Sequence, residues 1–397
     1  MKVASEFFPA HFMSAVHGKN VYLFGAGRVG QIVHDLCKEN GIAVHGFCVS
    51  DVRKNKSMYN SLPVLDVRNL FGRDKNAAVV IAVLERGEKK IERLCRDAGI
   101  QTVLSLPADV LNYDPWNEKR YRSPVVEVTA KIGCAVNCRY CPQGVLLASY
   151  FKGGVARRSS MPFEDYRRYL DSLPPETIVD FAGFVEPFFS ADVLRMMEYT
   201  VESGHDCTLF TTFRGLPLAD FGRLVKIPFR FVCVHTADAD GFADIPVTDE
   251  YLHLLQMALD ARKCDGSAFI DVANCQSEPH PAVLKLTEGR LKIYCEMSDR
   301  AGNLDPGAKN LAHVTKRGRI RCSRAAGMNH FVLLPDGSLA LCCNDFALKH
   351  IVGNLNVSSY AEIMRGPEME RLRKAMSADF GDGIICRKCY FAVEEES

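Results

Sequence analysis

The chain has 397 residues, of which 47% are hydrophobic, and this length suits two or three domains with well-packed cores. Its formal net charge of +1 provides no basic field, which excludes nucleic acid as the main substrate. The longest apolar run, residues 77–84, is far shorter than a membrane span, and no signal peptide is expected. We therefore expect a cytoplasmic protein without a membrane partner. Its sixteen cysteines are not expected to form a disulfide framework, and seven of them fall into two spaced sets that suit metal or cluster binding.

The first segment, residues 1–112, has the element order of a Rossmann-type nucleotide-binding domain. An apolar strand at 21–24 leads into Gly25-Ala-Gly27-Arg-Val-Gly30 and then a helical pattern over 31–40. Asp51 stands about twenty residues beyond the last glycine, where such folds place a ribose-binding acid. The same three glycines would also be needed if this segment only formed a tight turn and packed its helix closely against the sheet. A bound nucleotide or nucleotide-sugar and a purely structural or docking role therefore both remain open.

The second segment, residues 113–305, alternates apolar strands with helical patterns after a polar boundary at 111–124. Such alternation predicts parallel β/α units, here a partial (β/α)6 TIM barrel with functional residues at the carboxyl ends of its strands. The expected strands are 125–129, 178–181, 207–211, 231–235, 269–272 and 291–295. The expected helices are 162–173, 191–203, 218–225 and 249–263.

A closely spaced cysteine triplet follows the first of these strands, in Cys134-Ala-Val-Asn-Cys138-Arg-Tyr-Cys141. Three thiolates can hold three irons of a 4Fe-4S cluster and leave the fourth iron open to a chelating small molecule. Zinc is the alternative, since Cys-x2-Cys pairs are common zinc ligands, but zinc requires four ligands, usually in two pairs.

The third segment, residues 306–397, contains a second cysteine set. Its expected ligands are Cys322, Cys342, Cys386 and Cys389, with Cys343 as the alternative to Cys342. A β-hairpin with an Asp336-Gly337 turn is expected to bring Cys342 back beside the start of the first strand. Four cysteines close a single auxiliary 4Fe-4S cluster, and zinc is again the alternative.

These motifs resemble a known family. The triplet loop, with Tyr140 before its last cysteine, resembles the cluster loop of radical S-adenosylmethionine (SAM) enzymes, and the third segment resembles their SPASM or Twitch auxiliary-cluster domain. The first segment, with its later Leu62-Pro63-Val64, resembles the N-terminal domains that accompany sugar-modifying enzymes.

The resemblance implies further SAM contacts. Gly183-Phe184-Val185-Glu186-Pro187 resembles the segment that binds the SAM ammonium, although Val185 replaces a more usual glycine, and this implies roles for Gly183 and Glu186. Thr212 and Arg300 match segments near the ribose and the carboxylate. An ordinary strand threonine and a solvated arginine are the alternatives for these two residues.

The implied activity is reductive cleavage of SAM to a 5′-deoxyadenosyl radical, which takes a hydrogen atom from a substrate. The outcome of the reaction is oxidation or epimerisation. An epimerase needs a thiol that returns a hydrogen atom to the substrate radical, and Cys343 is the candidate for this donor. The alternative is that Cys343 is only a small buried core residue. We expect a sugar-like or nucleotide-linked small molecule, or alternatively a peptide, and an electron donor such as flavodoxin or ferredoxin. A zinc-stabilised nucleotide-binding scaffold without turnover is the hypothesis from another class.

Overall fold

A computed structural model describes residues 8, 10–54, 57–59, 61–83, 88–106, 115–152, 157–291, 293–295, 300–304, 315–378 and 383–395. The chain forms two compact units, residues 1–119 and 120–397. The helix Pro115–Arg122 lies at the division between them. Part of the expected boundary, residues 111–114, lies outside the described residues. The division into three domains at 112 and 305 stays a prediction.

The first unit is built on a six-stranded sheet. Its strands are β1 (Asn20–Phe24), β2 (Val44–Val49), β3 (Met58–Tyr59), β4 (Leu62–Asp66), β5 (Ala77–Ile81) and β6 (Thr102–Ser105). Its helices are α1 (Ala10–Val16), α2 (Arg28–Glu39), α3 (Val67–Arg73) and α4 (Glu88–Asp97), and α5 is Pro115–Arg122. The spatial order is β3-β4-β2-β1-β5-β6, and all neighbouring pairs except β3 with β4 are parallel.

The alternation of side chains along β1 gives this sheet a hydrophobic core on each face. Val21 and Leu23 join the core that includes Val33 and Leu36 of α2, whereas Tyr22 and Phe24 join the core of α3 and α4 on the other face. Two covered faces are what a parallel sheet requires. The predicted Rossmann-like sheet is therefore confirmed.

The second unit contains a nine-stranded sheet. Its first six strands are β7 (Val125–Val128), β8 (Ile178–Phe181), β9 (Asp206–Thr211), β10 (Phe231–His235), β11 (Val272–Cys275) and β12 (Ile293–Cys295). The helices among them are α6 (Gln143–Tyr150), α7 (Phe163–Asp171), α8 (Val193–Glu202), α9 (Leu218–Leu224), α10 (Asp249–Asp260) and α11 (Pro281–Thr287). These six strands are parallel and lie in sequence order, as the partial-barrel prediction requires.

The C-terminal segment continues the same sheet. Its elements are β13 (Ile320–Cys322), β14 (His330–Leu333), β15 (Ser338–Ala340), β16 (Ile351–Asn354), α12 (Tyr360–Met364), α13 (Pro367–Ser377) and β17 (Ala392–Glu394). Strand β14 pairs in parallel with β7, and β15 and β16 extend the sheet by antiparallel pairing. Gly337 has a φ of +82° and completes the expected Asp-Gly turn between β14 and β15. Strands β13 and β17 form a separate two-stranded sheet.

One strand prediction was wrong, and two helices between the strands of the second unit, α6 and α11, were not predicted. The run 269–272 was expected to be a strand, but β11 begins at Val272. Phe269 and Ile270 are buried in the main core, and the amide of Phe269 donates to the carbonyl of Ala261 rather than to a strand. An apolar run alone does not distinguish a buried loop from a strand. Helices α6 and α11 are short and carried no clear helical period.

One face of the sheet is apolar, and the other, here called the polar face, carries buried acids beside apolar residues such as Val332. Val126, Val128, Val179 and Phe181 all belong to the large core on one face. The intervening residues Glu127 and Asp180, which are register partners on β7 and β8, project to the opposite face because successive strand residues alternate. The polar face therefore collects side chains from strands that are far apart in sequence. None of the described helices has the length and apolar character needed to cross a membrane.

Candidate functional site

The cysteine triplet lies on the loop that follows β7. Cys134, Cys138 and Cys141 are half-buried and line one cavity of about 270 Å³, here named the triplet cavity. The backbone amide of Cys141 donates to the carbonyl of Cys138 at 3.0 Å, and Asn137 takes a φ of +52°, so the loop turns tightly. Burial raises the pKa of all three thiols. A bound cation is therefore needed to hold them as thiolates at neutral pH.

Hydrogen bonds connect the triplet loop to the strand ends around it. The amide of Glu186 donates to Sγ of Cys134 at 3.4 Å, and Nε2 of Gln143 donates to Sγ of Cys141 at 3.3 Å and to the carbonyl of Phe184 at 2.6 Å. Tyr140 also lines the cavity, and burial raises its pKa.

Glu186 is an acid of the triplet cavity that several hydrogen bonds hold in place. Its side chain is buried, and it accepts hydrogen bonds from the Thr211 hydroxyl at 2.6 Å, the Thr212 amide at 2.6 Å and the Thr212 hydroxyl at 2.7 Å. Burial raises the pKa of Glu186 to about 7, although these bonds favour the charged form. A cationic ligand would therefore find a fixed and poorly solvated carboxylate.

Gly183 provides the backbone turn that places Glu186. Its φ is +71°, and a Cβ at this position would collide with the hydroxyl of Thr129. Val185, which replaces the usual glycine, is not among the residues with positive φ. The departure at Val185 therefore causes no strain, because the left-handed turn is made two residues earlier.

Arg300 reaches the triplet cavity from a turn of left-handed residues. Arg300, Ala301 and Gly302 have φ values of +50°, +53° and +77°. Nδ2 of Asn303 holds the turn, donating to the carbonyl of Arg300 at 2.7 Å and to the carbonyl of Asn344 at 2.9 Å. The sequence-predicted residues Tyr140, Gly183, Glu186, Thr212 and Arg300 thus line the same cavity as the triplet.

The floor of the triplet cavity is a layer of charged residues on the polar face of the sheet. Arg120 donates to both oxygens of Asp180 at 2.7 and 2.6 Å, and Nε2 of His330 lies 2.8 Å from Oε1 of Glu127. Burial opposes ionisation of Glu127, but His330 and Arg324 lower the pKa of Glu127 to about 2. Glu127, Asp180 and His330 offer ligand atoms within 4.8 Å of one another. Arg120 already neutralises Asp180, and the cationic Arg324 lies 4.0 Å from Glu127, so a metal ion there is unfavourable.

A second, smaller cavity of about 60 Å³ lies in the C-terminal segment and is named the C-terminal cavity. Cys322, Cys342, Cys386 and Cys389 all line it. The amide of Arg324 donates to Sγ of Cys322 at 3.4 Å, and Nδ2 of Asn344 donates to Sγ of Cys389 at 3.6 Å. Four cysteine sulfurs, two of which accept hydrogen bonds, therefore surround one small cavity.

The structure separates the two neighbouring cysteines of the hairpin. Cys342 lines the C-terminal cavity, whereas Cys343 lines the triplet cavity. Nη1 of Arg324 lies 3.6 Å from Sγ of Cys343. Adjacent residues leaving a strand point in opposite directions, which is why one thiol faces each cavity.

The glycines of the first unit form a compact turn. Gly25 has a φ of +120°, and a Cβ on Gly30 would collide with the carbonyl of Gly25; Gly27 is the N-cap of α2. Asp51 does not have a free carboxylate, because Arg53 binds it at 3.0 and 3.1 Å. The glycines therefore have a structural role whether or not a nucleotide binds.

Several cavity residues are absent from the sequence-based candidates. Glu127, Asp180, His235 and Arg324 line the triplet cavity. The sequence contained a signal for Glu127 and Asp180, because each is an acid at the centre of an apolar strand. An unpaired charge buried there is very unfavourable. Arg324 had no comparable signal, because it follows Cys322 in an ordinary basic run.

A family model matches part of the chain. Residues 322–390 match SPASM, described as an iron-sulfur cluster-binding domain. The match covers all four cysteines of the C-terminal cavity and confirms the prediction of a SPASM segment. A search of curated proteins found no significant match.

Solved structures also resemble the chain. BtrN in complex with AdoMet and 2-DOIA is 17% identical, with a TM-score of 0.46 over 68% of this chain and 93% of that chain. Streptococcus suis SuiB bound to the precursor peptide SuiA is 11% identical, with a TM-score of 0.44 over 76% and 81%. The protein anSMEcpe with bound AdoMet is 12% identical, with a TM-score of 0.43 over 68% of this chain and 86% of that chain. At these values the likeness carries no argument about activity.

Proposed function

We propose that this chain, whose residues 322–390 are a SPASM iron-sulfur cluster-binding domain, is a radical SAM enzyme with a second cluster at the cysteine triplet. One observation carries the proposal: Cys134, Cys138 and Cys141 line the same cavity as Glu186 and Thr212. Three sulfurs leave one iron of a 4Fe-4S cluster without a protein ligand, and a buried carboxylate nearby suits the ammonium group of a chelating amino acid.

The residues of the triplet cavity fit SAM in chemistry. Glu186 would bind the ammonium, held in place by the hydroxyls of Thr211 and Thr212, and Arg300 would pair with the carboxylate. Among the described residues, buried Nδ1 of His235 and Oε1 of Gln143 have no hydrogen-bond partner. Buried polar atoms of this kind are expected to find partners in a ligand.

The four sulfurs of the C-terminal cavity fit an auxiliary 4Fe-4S cluster with no open iron. Cys322, Cys342, Cys386 and Cys389 would be its ligands, and Cys343 would face the substrate instead. A zinc ion would also accept four sulfurs, but the family match is to an iron-sulfur domain.

Residues of the triplet cavity would bind and orient SAM and the substrate. Cys134, Cys138 and Cys141 would hold the first cluster, which together with SAM would supply the radical chemistry that removes a hydrogen atom from the substrate. Glu186 and Arg300 would orient SAM, and the apolar face of the sheet would keep this region rigid. The charged floor of Glu127, Asp180, Arg120 and Arg324 favours a polar substrate, for which we propose a sugar-like small molecule. Cys343 is the proposed hydrogen donor if the outcome is epimerisation.

Iron analysis and SAM cleavage test the proposal. Protein purified without air should contain about eight irons per chain, since each cluster holds four, and should form 5′-deoxyadenosine from SAM on reduction. Cys138→Ala should retain about half of the iron and lose cleavage. Cys386→Ala should also lose half of the iron but retain cleavage.

Cys264→Ala is the matched control, because Cys264 is an exposed thiol outside both cavities; it should retain all of the iron and cleavage. Stoichiometric zinc without SAM cleavage in the unmodified protein would instead support a zinc-stabilised scaffold. Deuterium transfer from labelled sugars or peptides into 5′-deoxyadenosine would identify the substrate class, and transfer from peptides alone would contradict the sugar assignment.

A further inference from the structure

Arg324 lies between the two cavities. It lines both the triplet cavity and the C-terminal cavity. Its backbone amide donates to Sγ of Cys322 at 3.4 Å, while Nη1 lies 3.6 Å from Sγ of Cys343. One residue therefore contacts a proposed cluster ligand through its backbone and the substrate side through its guanidinium.

The position of the Arg324 guanidinium is fixed by packing. It lies over the ring of Phe391 with 4.9 Å between the guanidinium carbon and the ring centroid, and Phe391 also lines the C-terminal cavity. Stacking of this kind holds an arginine in one orientation. The positive charge of Arg324 is therefore held beside Phe391 and Cys343 rather than moving freely in solvent.

The charge of Arg324 is only partly balanced by an acid. Its nearest carboxylate oxygen is Oε1 of Glu127, at 4.0 Å, and that oxygen already lies 2.8 Å from His330. Asp180, the other acid of the floor, is bound by Arg120. Arg324, with a third of its side chain exposed, thus keeps part of its positive field between the two cavities.

A positive charge and hydrogen bonds to ligand sulfurs stabilise the reduced, more negative form of an iron-sulfur cluster. We infer that the positive charge of Arg324, between the two cavities, tunes the auxiliary cluster by raising its reduction potential. The inference rests on the proposed function, since it requires a cluster in the C-terminal cavity. With Arg324 present, the auxiliary cluster should accept an electron more readily than it would with its four cysteine ligands alone.

A redox titration of the auxiliary cluster, monitored by electron paramagnetic resonance, tests the inference. Arg324→Gln removes the charge at similar size and should make the reduction potential more negative by about 30 mV or more, a threefold change in the reduction equilibrium. Arg324→Lys retains a charge and should recover at least half of the shift. Neither measurement requires the substrate.

Arg321→Gln is the matched control. Arg321 is a neighbour of Cys322 on β13, but it is exposed and lies 4.0 Å from Glu395. Because solvent screens its charge, Arg321→Gln should change the reduction equilibrium by no more than about 1.5-fold, which corresponds to about 10 mV. A shift for Arg324→Gln no larger than that for Arg321→Gln would overturn the inference.

Two further outcomes are decisive. Loss of the auxiliary cluster from both Arg324 variants would also overturn the inference, because it would mean that Arg324 holds the cluster rather than tunes it. Absence of any auxiliary cluster from the unmodified protein would refute the proposed function itself. Iron content of the unmodified protein, measured first, distinguishes the two failures.

Discussion

At the scale of single residues, the site depends on charges that are removed from water and then paired. Glu186 accepts three hydrogen bonds from two threonines, and Asp180 accepts two from one arginine. A buried charge is tolerated only with such partners. These residues should therefore respond to substitution far more strongly than the exposed pairs of the same unit.

The first prediction concerns SAM binding by Glu186. Replacing Glu186 by Gln removes the negative charge and should weaken SAM binding about 10- to 100-fold, because a hydrogen bond to a charged group contributes about 1.5–3 kcal/mol. Calorimetric titration of the reconstituted protein with SAM measures this. Glu198→Gln, in an exposed pair with Arg223, is the control and should bind SAM normally; equal affinities for both variants would remove Glu186 from the site.

The second prediction concerns stability. Arg120→Met leaves the carboxylate of Asp180 buried without its cation and should destabilise the second unit by about 3–5 kcal/mol, measured by urea unfolding. The double variant Arg120→Met, Asp180→Leu should recover most of that loss, since it removes both charges. Arg223→Met, which breaks the more exposed Arg223–Glu198 pair, should cost about 1 kcal/mol or less. Equal losses for Arg120→Met and Arg223→Met would contradict a buried pair.

At the scale of elements, strand ends and the turns after them form the site. The triplet follows β7, Gly183 follows β8, Thr212 follows β9 and His235 ends β10. Because parallel strands end at the same edge of a sheet, loops separated by many residues converge there. The turns must therefore have a defined shape, and Gly183 is the position where that requirement is sharpest.

The third prediction compares two glycines with similar backbone angles. Gly183→Ala should destabilise the unit and reduce SAM binding, because the new Cβ meets Thr129 and requires a left-handed φ. Gly204→Ala at the end of α8 has a φ of +86° but no neighbouring atom within 4 Å. It should cost only about 1 kcal/mol and leave SAM affinity unchanged. Equal effects on SAM affinity would show that the turn at Gly183 does not shape the site.

At the scale of the whole molecule, the two units have separate cores, and the proposed clusters both belong to the second. The C-terminal segment is not a detached appendage, because β14 pairs with β7 in the main sheet. A cluster held by Cys322 and Cys389 also joins the two ends of this segment. Cluster binding should therefore stabilise the second unit specifically.

The fourth prediction is that removal of iron lowers the melting temperature of the second unit alone. Metal binding to ligands assembled only in the folded chain stabilises that fold. Differential scanning calorimetry of protein with and without iron should show one transition that moves and one that does not. Hydrogen exchange of residues 10–54 and of β14 assigns the two transitions. A shift of both transitions would contradict independent units.

The α/β repeat and the two cysteine sets were predictable from the sequence, because strand alternation and ligand spacing are local patterns. Most strands of the second unit began and ended within a few residues of their predicted positions. The prediction failed at 269–272, where burial in a loop produces the same apolar run as a strand. The family match to residues 322–390 confirmed the C-terminal segment, for which the hairpin and the Cys-x2-Cys pair had already indicated a cluster domain.

The tertiary structure decided how these pieces combine. Cys342 and Cys343 are neighbours in the chain, and only the direction of each side chain assigns them to different cavities. Likewise, Glu127 and His330 are about two hundred residues apart and meet because β14 lies beside β7. Spacing along a chain determines which ligands a loop can offer. Strand pairing, which depends on packing of the whole sheet, determines which of those ligands and charges share a site.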